Sequence, residues 1–115
     1  MAADRRRERG VAGEDMAAGW YEANGYEVVV RNWRCRDGEF DLIVRRGREL
    51  VFVEVKSRSS DRFGLPAEAV TPVKQQRIRR LAARYLAESG ARSSALRFDV
   101  VAILGDQLEV IEAAF

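Results

Sequence analysis

Residues Gly38 to Lys56, GEFDLIVRRGRELVFVEVK, decide the fold, because two apolar runs flank a polar turn and three ionisable side chains interrupt them. The runs Phe40-Asp41-Leu42-Ile43-Val44 and Leu50-Val51-Phe52-Val53-Glu54-Val55 are rich in β-branched and aromatic residues, and Arg45-Arg46-Gly47-Arg48-Glu49 separates them. That is the pattern of a β-hairpin. With Gly47-Arg48 as a two-residue loop, Arg46 pairs with Glu49. Counting outward predicts Val44 opposite Val51, Leu42 opposite Val53 and Asp41 opposite Glu54. Directly opposed residues have Cβ atoms about 4.5 to 5.5 Å apart, so two carboxylates are expected at one spot. Strand alternation puts Lys56 on the face of Glu54 and turns Val53 and Val55 to the other.

Like charges this close repel, and in a half-buried sheet each also loses solvation, so the arrangement calls for a bound cation. Mg²⁺ takes hard oxygen ligands from one or two carboxylates and completes its shell with water and substrate phosphate. Lys56, desolvated beside such an ion, has the chemistry to polarise or deprotonate an attacking water. The alternative is a salt-bridged triad in which Lys56 only neutralises Glu54.

Asp41, followed by Glu54-Val55-Lys56 on the next strand, resembles the D…(D/E)xK signature of the PD-(D/E)XK nuclease superfamily, which includes type II restriction enzymes and archaeal Holliday junction resolvases. The chain is similar over nearly its whole length to the small bacterial YraN-like proteins. The matching segments are Arg31-Asn32-Trp33-Arg34, Gly38 to Ile43, Val51 to Arg58, Phe63 to Val70, Lys74 and Arg97 to Val101. Phe40, where an aliphatic residue is usual, is a minor departure. The resemblance implies a restriction-endonuclease-like αβββαβ core, a mixed sheet flanked by helices, and metal-dependent endonuclease activity on nucleic acid, branched DNA included. Carried onto this chain, it implies Asp41 and Glu54 as ligands of Mg²⁺ or Mn²⁺, Lys56 orienting the nucleophilic water, and Gln75 assisting.

Glu14 interrupts the apolar stripe Val11, Ala17, Ala18 and Tyr21 of a first helix expected from Asp4 to Asn24, with Gly25 as its cap. An unpaired carboxylate on that face is costly, so it needs a partner. The resemblance offers one, since related resolvases carry a first-helix glutamate that completes the metal site. A salt bridge to Arg5, Arg7 or Arg31 is the other reading.

Composition narrows the chemistry. One hundred and fifteen residues, 47% of them hydrophobic, fit a single α/β domain over the whole of 1–115. No apolar run approaches the ~18 residues of a membrane span, and no apolar segment follows the basic N-terminus, so a cytoplasmic protein without a membrane partner is expected. Cys35 is the single cysteine and histidine is absent, which excludes an internal disulfide, multi-thiolate metal sites and imidazole-based hydrolysis. Any base is carboxylate or lysine. Of the 20 basic residues only Lys56 and Lys74 are lysines. Arginine cannot give up its proton in a protein, so a lysine at position 56 in an arginine-dominated chain fits a chemical requirement.

The remaining segments fall into place around the hairpin. Tyr26 to Arg34 reads as a strand with Val28 and Val30 on one face and Val29 on the other. Its end, Arg31-Asn32-Trp33-Arg34, has the composition of phosphate and stacking contacts. Ser57 to Arg62, with Arg58, reads as a backbone-gripping loop or a solvated connection. Thr71-Pro72 signals a second helix to about Ser89, closed by Gly90, with a buried stripe of Ile78, Leu81, Ala82, Tyr85 and Leu86. Lys74 and Gln75 lie at its N-terminus, facing a scissile phosphate in the nuclease reading. Arg77, Arg80 and Arg84 form a row that is either a DNA footprint or a solvated face. Leu96 to Leu104 and Leu108 to Ala113 form a final hairpin, with Asp99 expected in a structural ion pair. The runner-up to catalysis is a nucleic-acid-binding module without turnover, and the third reading is a purely structural domain. Cutting two strands with one site per chain points to a two-fold homodimer, through patches around Trp33 or around Ile111 and Phe115.

Overall fold

The computed structural model describes residues 2–58 and 71–114, with side chains from residue 12 to 57 and from 71 to 114. The elements are α1 (Ala2–Ala23), β1 (Glu27–Cys35), β2 (Gly38–Arg46), β3 (Glu49–Arg58), α2 (Pro72–Ser89), β4 (Ala95–Leu104) and β5 (Gln107–Ile111). The strands form one five-stranded sheet in the order β1-β2-β3-β4-β5. β3 and β4 pair in parallel and every other neighbour is antiparallel, so α2 lies on the crossover between the two parallel strands.

Both faces of the sheet are covered, as two-sided apolar patterning demands. Ala17, Ala18 and Tyr21 of α1 pack with Leu42, Val44, Val51, Val53 and Val101 on one face. Leu81, Ala82 and Tyr85 of α2 pack with Phe40, Ile43, Leu50, Phe52 and Phe98 on the other. This is a mixed α/β sheet compatible with a restriction-endonuclease-like core, in the expected element order. The start of α2 is fixed by Thr71, whose hydroxyl accepts from Lys74 N–H at 3.1 Å, with Pro72 in the first turn. Its end is fixed by Gly90, left-handed at φ 69°.

The hairpin register is as the turn dictates, from Arg46 opposite Glu49 through Val44 opposite Val51 to Leu42 opposite Val53, with Gly47 at φ 61°. The expected Asp41–Glu54 pair is not part of it. The paired register ends at Leu42, and Phe40 and Leu42, two residues apart, face opposite sides of the sheet. The backbone therefore breaks alternation at Asp41 and redirects its side chain. A second break falls in β1, where the register shifts between Val28 and Val30. Val28 joins the α1 face and Val30 the α2 face, while Val29 is exposed, which corrects the expectation that Val28 and Val30 share a side. β4 adds alongside β3 and makes β3 the central strand.

Asp99 is fully buried and structural, as expected. Arg97 grips it with two bonds, Nε to Oδ1 at 2.8 Å and Nη2 to Oδ2 at 2.9 Å. The Tyr21 hydroxyl donates to Oδ2 at 2.6 Å and Ala113 N–H donates to Oδ1 at 3.0 Å. Burial and the neighbouring carboxylate push the Tyr21 phenol far above the usual range. One cluster thus ties α1, β4 and the residues after β5 together. Trp33 is half-buried against Phe40 and Tyr85, so much of that apolar patch is already covered. Ser59 to Arg62, the Phe63 to Val70 motif and Phe115, and the side chains of Arg5, Arg7, Val11 and Arg58, lie outside what the structure describes.

Candidate active site

Asp41 and Glu54 sit where β2 and β3 part. Having left the register, Asp41 turns its carboxylate onto β3, where Oδ2 accepts from Val55 N–H at 2.7 Å. Burial pushes the Asp41 carboxyl up to about 6, opposed by that hydrogen bond and reinforced by the charges of Glu14, Glu39 and Glu54. Both carboxylates placed with Asp41 from the sequence, Glu54 and Glu14, are therefore close enough to act on its charge.

Glu54 points to the α2 side, where a cleft of ≈ 330 Å³ is lined by Phe40, Phe52, Glu54, Lys74, Arg77 and Leu81, among others. Its Oε1 receives two ammonium groups, Lys74 Nζ at 3.3 Å and Lys56 Nζ at 3.9 Å. Its Oε2 is buried and has no hydrogen-bond partner among the described residues. A buried carboxylate oxygen left unsatisfied costs on the order of 1 to 3 kcal/mol or more, so such atoms mark positions where a cation or donor belongs. Lys56 shares the face of Glu54, as alternation required, and Val53 and Val55 lie on the α1 side.

Glu14 is brought to this end of β3 by Gly13. A Cβ at Gly13 would stand 2.5 Å from Ser57 Oγ and 3.3 Å from Ile103 Cδ1, so a side chain there would make Ser57 turn away and Ile103 give way for α1 to lie this close to the sheet. The Glu14 carboxylate is partnered: Oε2 accepts from Asn32 Nδ2 at 3.0 Å and lies 3.5 Å from Arg31 Nη2. Asn32 holds a left-handed backbone at φ 54°, which asparagine tolerates better than most residues. Among the described residues no three acidic, histidine or cysteine side chains are gathered in a set able to hold a metal ion. Asp41 and Glu54 lie on adjoining strands, close enough for charge to act between them, but Asp41 does not line the Glu54 cleft, and Glu14 stands in an ion pair with Arg31.

The other candidates divide by position. Gln75 sits in the first turn of α2, where its N–H bonds Thr71 O at 2.9 Å, and it is not among the residues lining the Glu54 cleft. Arg31 bridges Asp15 at 2.7 Å as well as Glu14, and Arg34 bridges Glu39 at 2.9 Å. Lys74 was expected to face a phosphate; its contact with Glu54 was not foreseen. The signal was present, since Lys74 is the second of only two lysines and both converge on one carboxylate oxygen.

Replacing Asp41 by Asn should separate these effects. The folded pKa of Asp41 is raised, so its contribution to stability is full below pH ~4 and is lost as pH rises through about 6. Asp41→Asn should raise the thermal midpoint of the metal-free protein by several degrees above pH 6 and leave it unchanged near pH 4, since of order 1 to 2 kcal/mol is recovered. A midpoint difference independent of pH between 4 and 7 would contradict the burial of this carboxylate.

Fold and site together define an α/β domain with a restriction-endonuclease-like arrangement, in which two lysines meet Glu54 and Asp41 lies on the adjoining strand. The chain belongs to a family known as "Uncharacterised protein family UPF0102", which it matches over residues 13–103. It is 61% identical over 95 residues to a UPF0102 protein of Beutenbergia cavernae, covering 83% of this chain and 80% of that one. A UPF0102 protein of Moorella thermoacetica is 46% identical over 116 residues, covering 96% and 97%. One from Frankia casuarinae is 57% identical over 91 residues, covering 79% and 77%. The likeness to YraN-like proteins thus holds at the level of the family, whose description states no activity.

Proposed function

We propose that this protein is a divalent-metal-dependent phosphodiesterase of the PD-(D/E)XK type acting on nucleic acid, with DNA the favoured substrate. The observation that carries the reading is Glu54 Oε2, a buried carboxylate oxygen without a partner among the described residues, near a half-buried second carboxylate, Asp41, whose pKa is raised. Asp41 and Glu54 suit Mg²⁺ or Mn²⁺, which takes one or two carboxylates and leaves room for substrate phosphate. When bound, the ion supplies Lewis-acid polarisation of a phosphoryl oxygen.

The chain's own groups have separate tasks. Asp41 is held by Val55 N–H, so its free oxygen has a fixed aim. Lys56, with a side chain only 13% exposed, orients the attacking water or takes its proton. Lys74 leaves Glu54 Oε1 for a phosphate oxygen, and Glu14 and Gln75 assist from the adjoining helices. Cutting both strands of a duplex or junction requires a second copy, so a two-fold dimer belongs to this reading.

The test is a Mg²⁺ and Mn²⁺ cleavage screen on duplex, flap, single-stranded and four-way-junction DNA, joined to a calorimetric Mn²⁺ titration. Glu54→Gln should weaken Mn²⁺ by roughly tenfold or more, about 1.4 kcal/mol, and leave every substrate intact. Equal Mn²⁺ affinity in wild type and variant rejects the site. The second reading, a binding module without turnover, is favoured by the two lysines already on Oε1. It predicts oligonucleotide binding with no metal-dependent cleavage.

A further inference from the structure

Within the α2 row, Arg77 and Arg80 stand apart from the third member, Arg84. Arg31, Arg34, Arg84 and Arg97 all lie in ion pairs. Arg77 and Arg80 are exposed, and no ion pair is found for either among the described residues. From Pro72 to Ala87 the helix carries Lys74, Arg77, Arg79, Arg80 and Arg84 and no acidic residue, in a chain whose net charge is only +2. Positive charge is therefore concentrated along this stretch of α2.

Geometry connects the charge to the candidate active site. Arg77 lines the Glu54 cleft, and Arg77, Arg80 and Arg84 line a second cleft of ≈ 240 Å³ that shares Asp37 and Leu81 with the first. The two clefts thus form one trough leading from Glu54 along α2. Its opposite lip carries acids, yet Arg84 neutralises Asp37 at 2.7 Å and Arg34 neutralises Glu39 at 2.9 Å. Arg77 and Arg80 are left without an ion pair among the described residues and, with Lys74, which is held on Glu54, form a positive wall that spans about 9 Å at 1.5 Å per residue.

Resting on the phosphodiesterase reading, we infer that this trough is the path of the nucleic-acid strand: its phosphates run along α2 from Arg80 past Arg77 to Lys74, which delivers the backbone to Glu54. The contacts are to phosphate, so they set register and direction on the strand and carry no sequence preference. The occupant is a polyphosphate backbone because isolated guanidinium groups at successive helical turns match a row of fixed anions, and each neutralised phosphate releases counterions.

The experiment is fluorescence anisotropy with a labelled DNA duplex and its single strand, in EDTA, across a salt series. The variant Arg77→Gln/Arg80→Gln is set against Arg48→Gln/Arg92→Gln. The control removes the same charge at the far end of the sheet, where Ser94 N–H meets Arg48 O. The slope of log K against log salt should shrink by about 1.8 on duplex and about 1.4 on single strand in the α2 variant, with little change in the control. Equal losses in both variants, which net charge alone would give, or no loss in either, overturn the trough. So does a wild type that binds neither DNA. With no metal present, these outcomes are independent of the metal site, whose own failure would show in the Mn²⁺ titration.

Discussion

Lys56→Arg is expected to bind nucleic acid as tightly as the wild type and to lose turnover by roughly 10² to 10⁴-fold, the range associated with a positioned proton-transfer group. The charge is kept, so a role limited to neutralising Glu54 survives the exchange. What is lost is a compact ammonium able to shed a proton, replaced by a planar group that stays charged at any working pH. The site is tight enough for the difference to matter, since the Lys56 side chain is 13% exposed and lies 3.9 Å from Glu54 Oε1. Single-turnover cleavage with saturating Mn²⁺ and the best substrate of the screen reads chemistry apart from binding. Cleavage undiminished in Lys56→Arg would leave Lys56 with an electrostatic role only. Equal loss of DNA binding and turnover would instead indicate that the larger side chain blocks the cleft.

The central hairpin was legible from sequence because three signals agree on one register: period-two apolar runs, a short turn, and a glycine where the backbone is left-handed at φ 61°. Glu54 and Lys56 followed from that register by alternation. Asp41 was legible as a member of the site but not in its geometry. Alternation holds only while the strands stay paired, and nothing in Phe40-Asp41-Leu42 signals that pairing ends there and that Asp41 bonds the Val55 backbone. Val28-Val29-Val30 hid the register shift for a related reason, since three consecutive valines present the same pattern on either face. The central place of β3 depends on β4 adding in parallel beyond α2, a long-range pairing that local pattern does not encode. The ion pair of Glu14 with Arg31 was one of the readings open from sequence, whereas the partner of Arg34 and the bridge of Arg84 to Asp37 were out of reach, because each is a choice among several acids or joins residues far apart in sequence.

Asp99→Asn is expected to lower stability by about 3 to 5 kcal/mol, the usual result of removing one partner of a buried ion pair. Asn keeps nearly the same shape, so no cavity opens, and the loss comes from hydrogen bonding and charge. Both oxygens of Asp99 accept from donors: Arg97 and Ala113 on Oδ1, Arg97 and Tyr21 on Oδ2. An amide nitrogen at either position faces a donor, and Arg97 retains a half-buried charge beside Glu49 at 3.1 Å, Glu112 at 3.7 Å and the Tyr26 hydroxyl at 3.0 Å. Against a typical domain stability of about 5 to 15 kcal/mol, this removes a large share. Urea unfolding should show a reduced midpoint at constant m, and the thermal midpoint should fall by roughly 10 to 25 °C. A double-mutant cycle with Tyr21→Phe isolates the hydroxyl, which should couple to Asp99 because the two groups touch. The Asp99 carboxylate bonds Tyr21 on the α1 side, whereas Glu54 opens into the cleft on the α2 side, whose lining reaches Asp99 but none of the groups that bond its carboxylate. Folded Asp99→Asn at low temperature should therefore bind Mn²⁺ with wild-type affinity. A loss below about 1 kcal/mol would show the cluster to be a solvated surface pair, with energies in the range of exposed ion pairs.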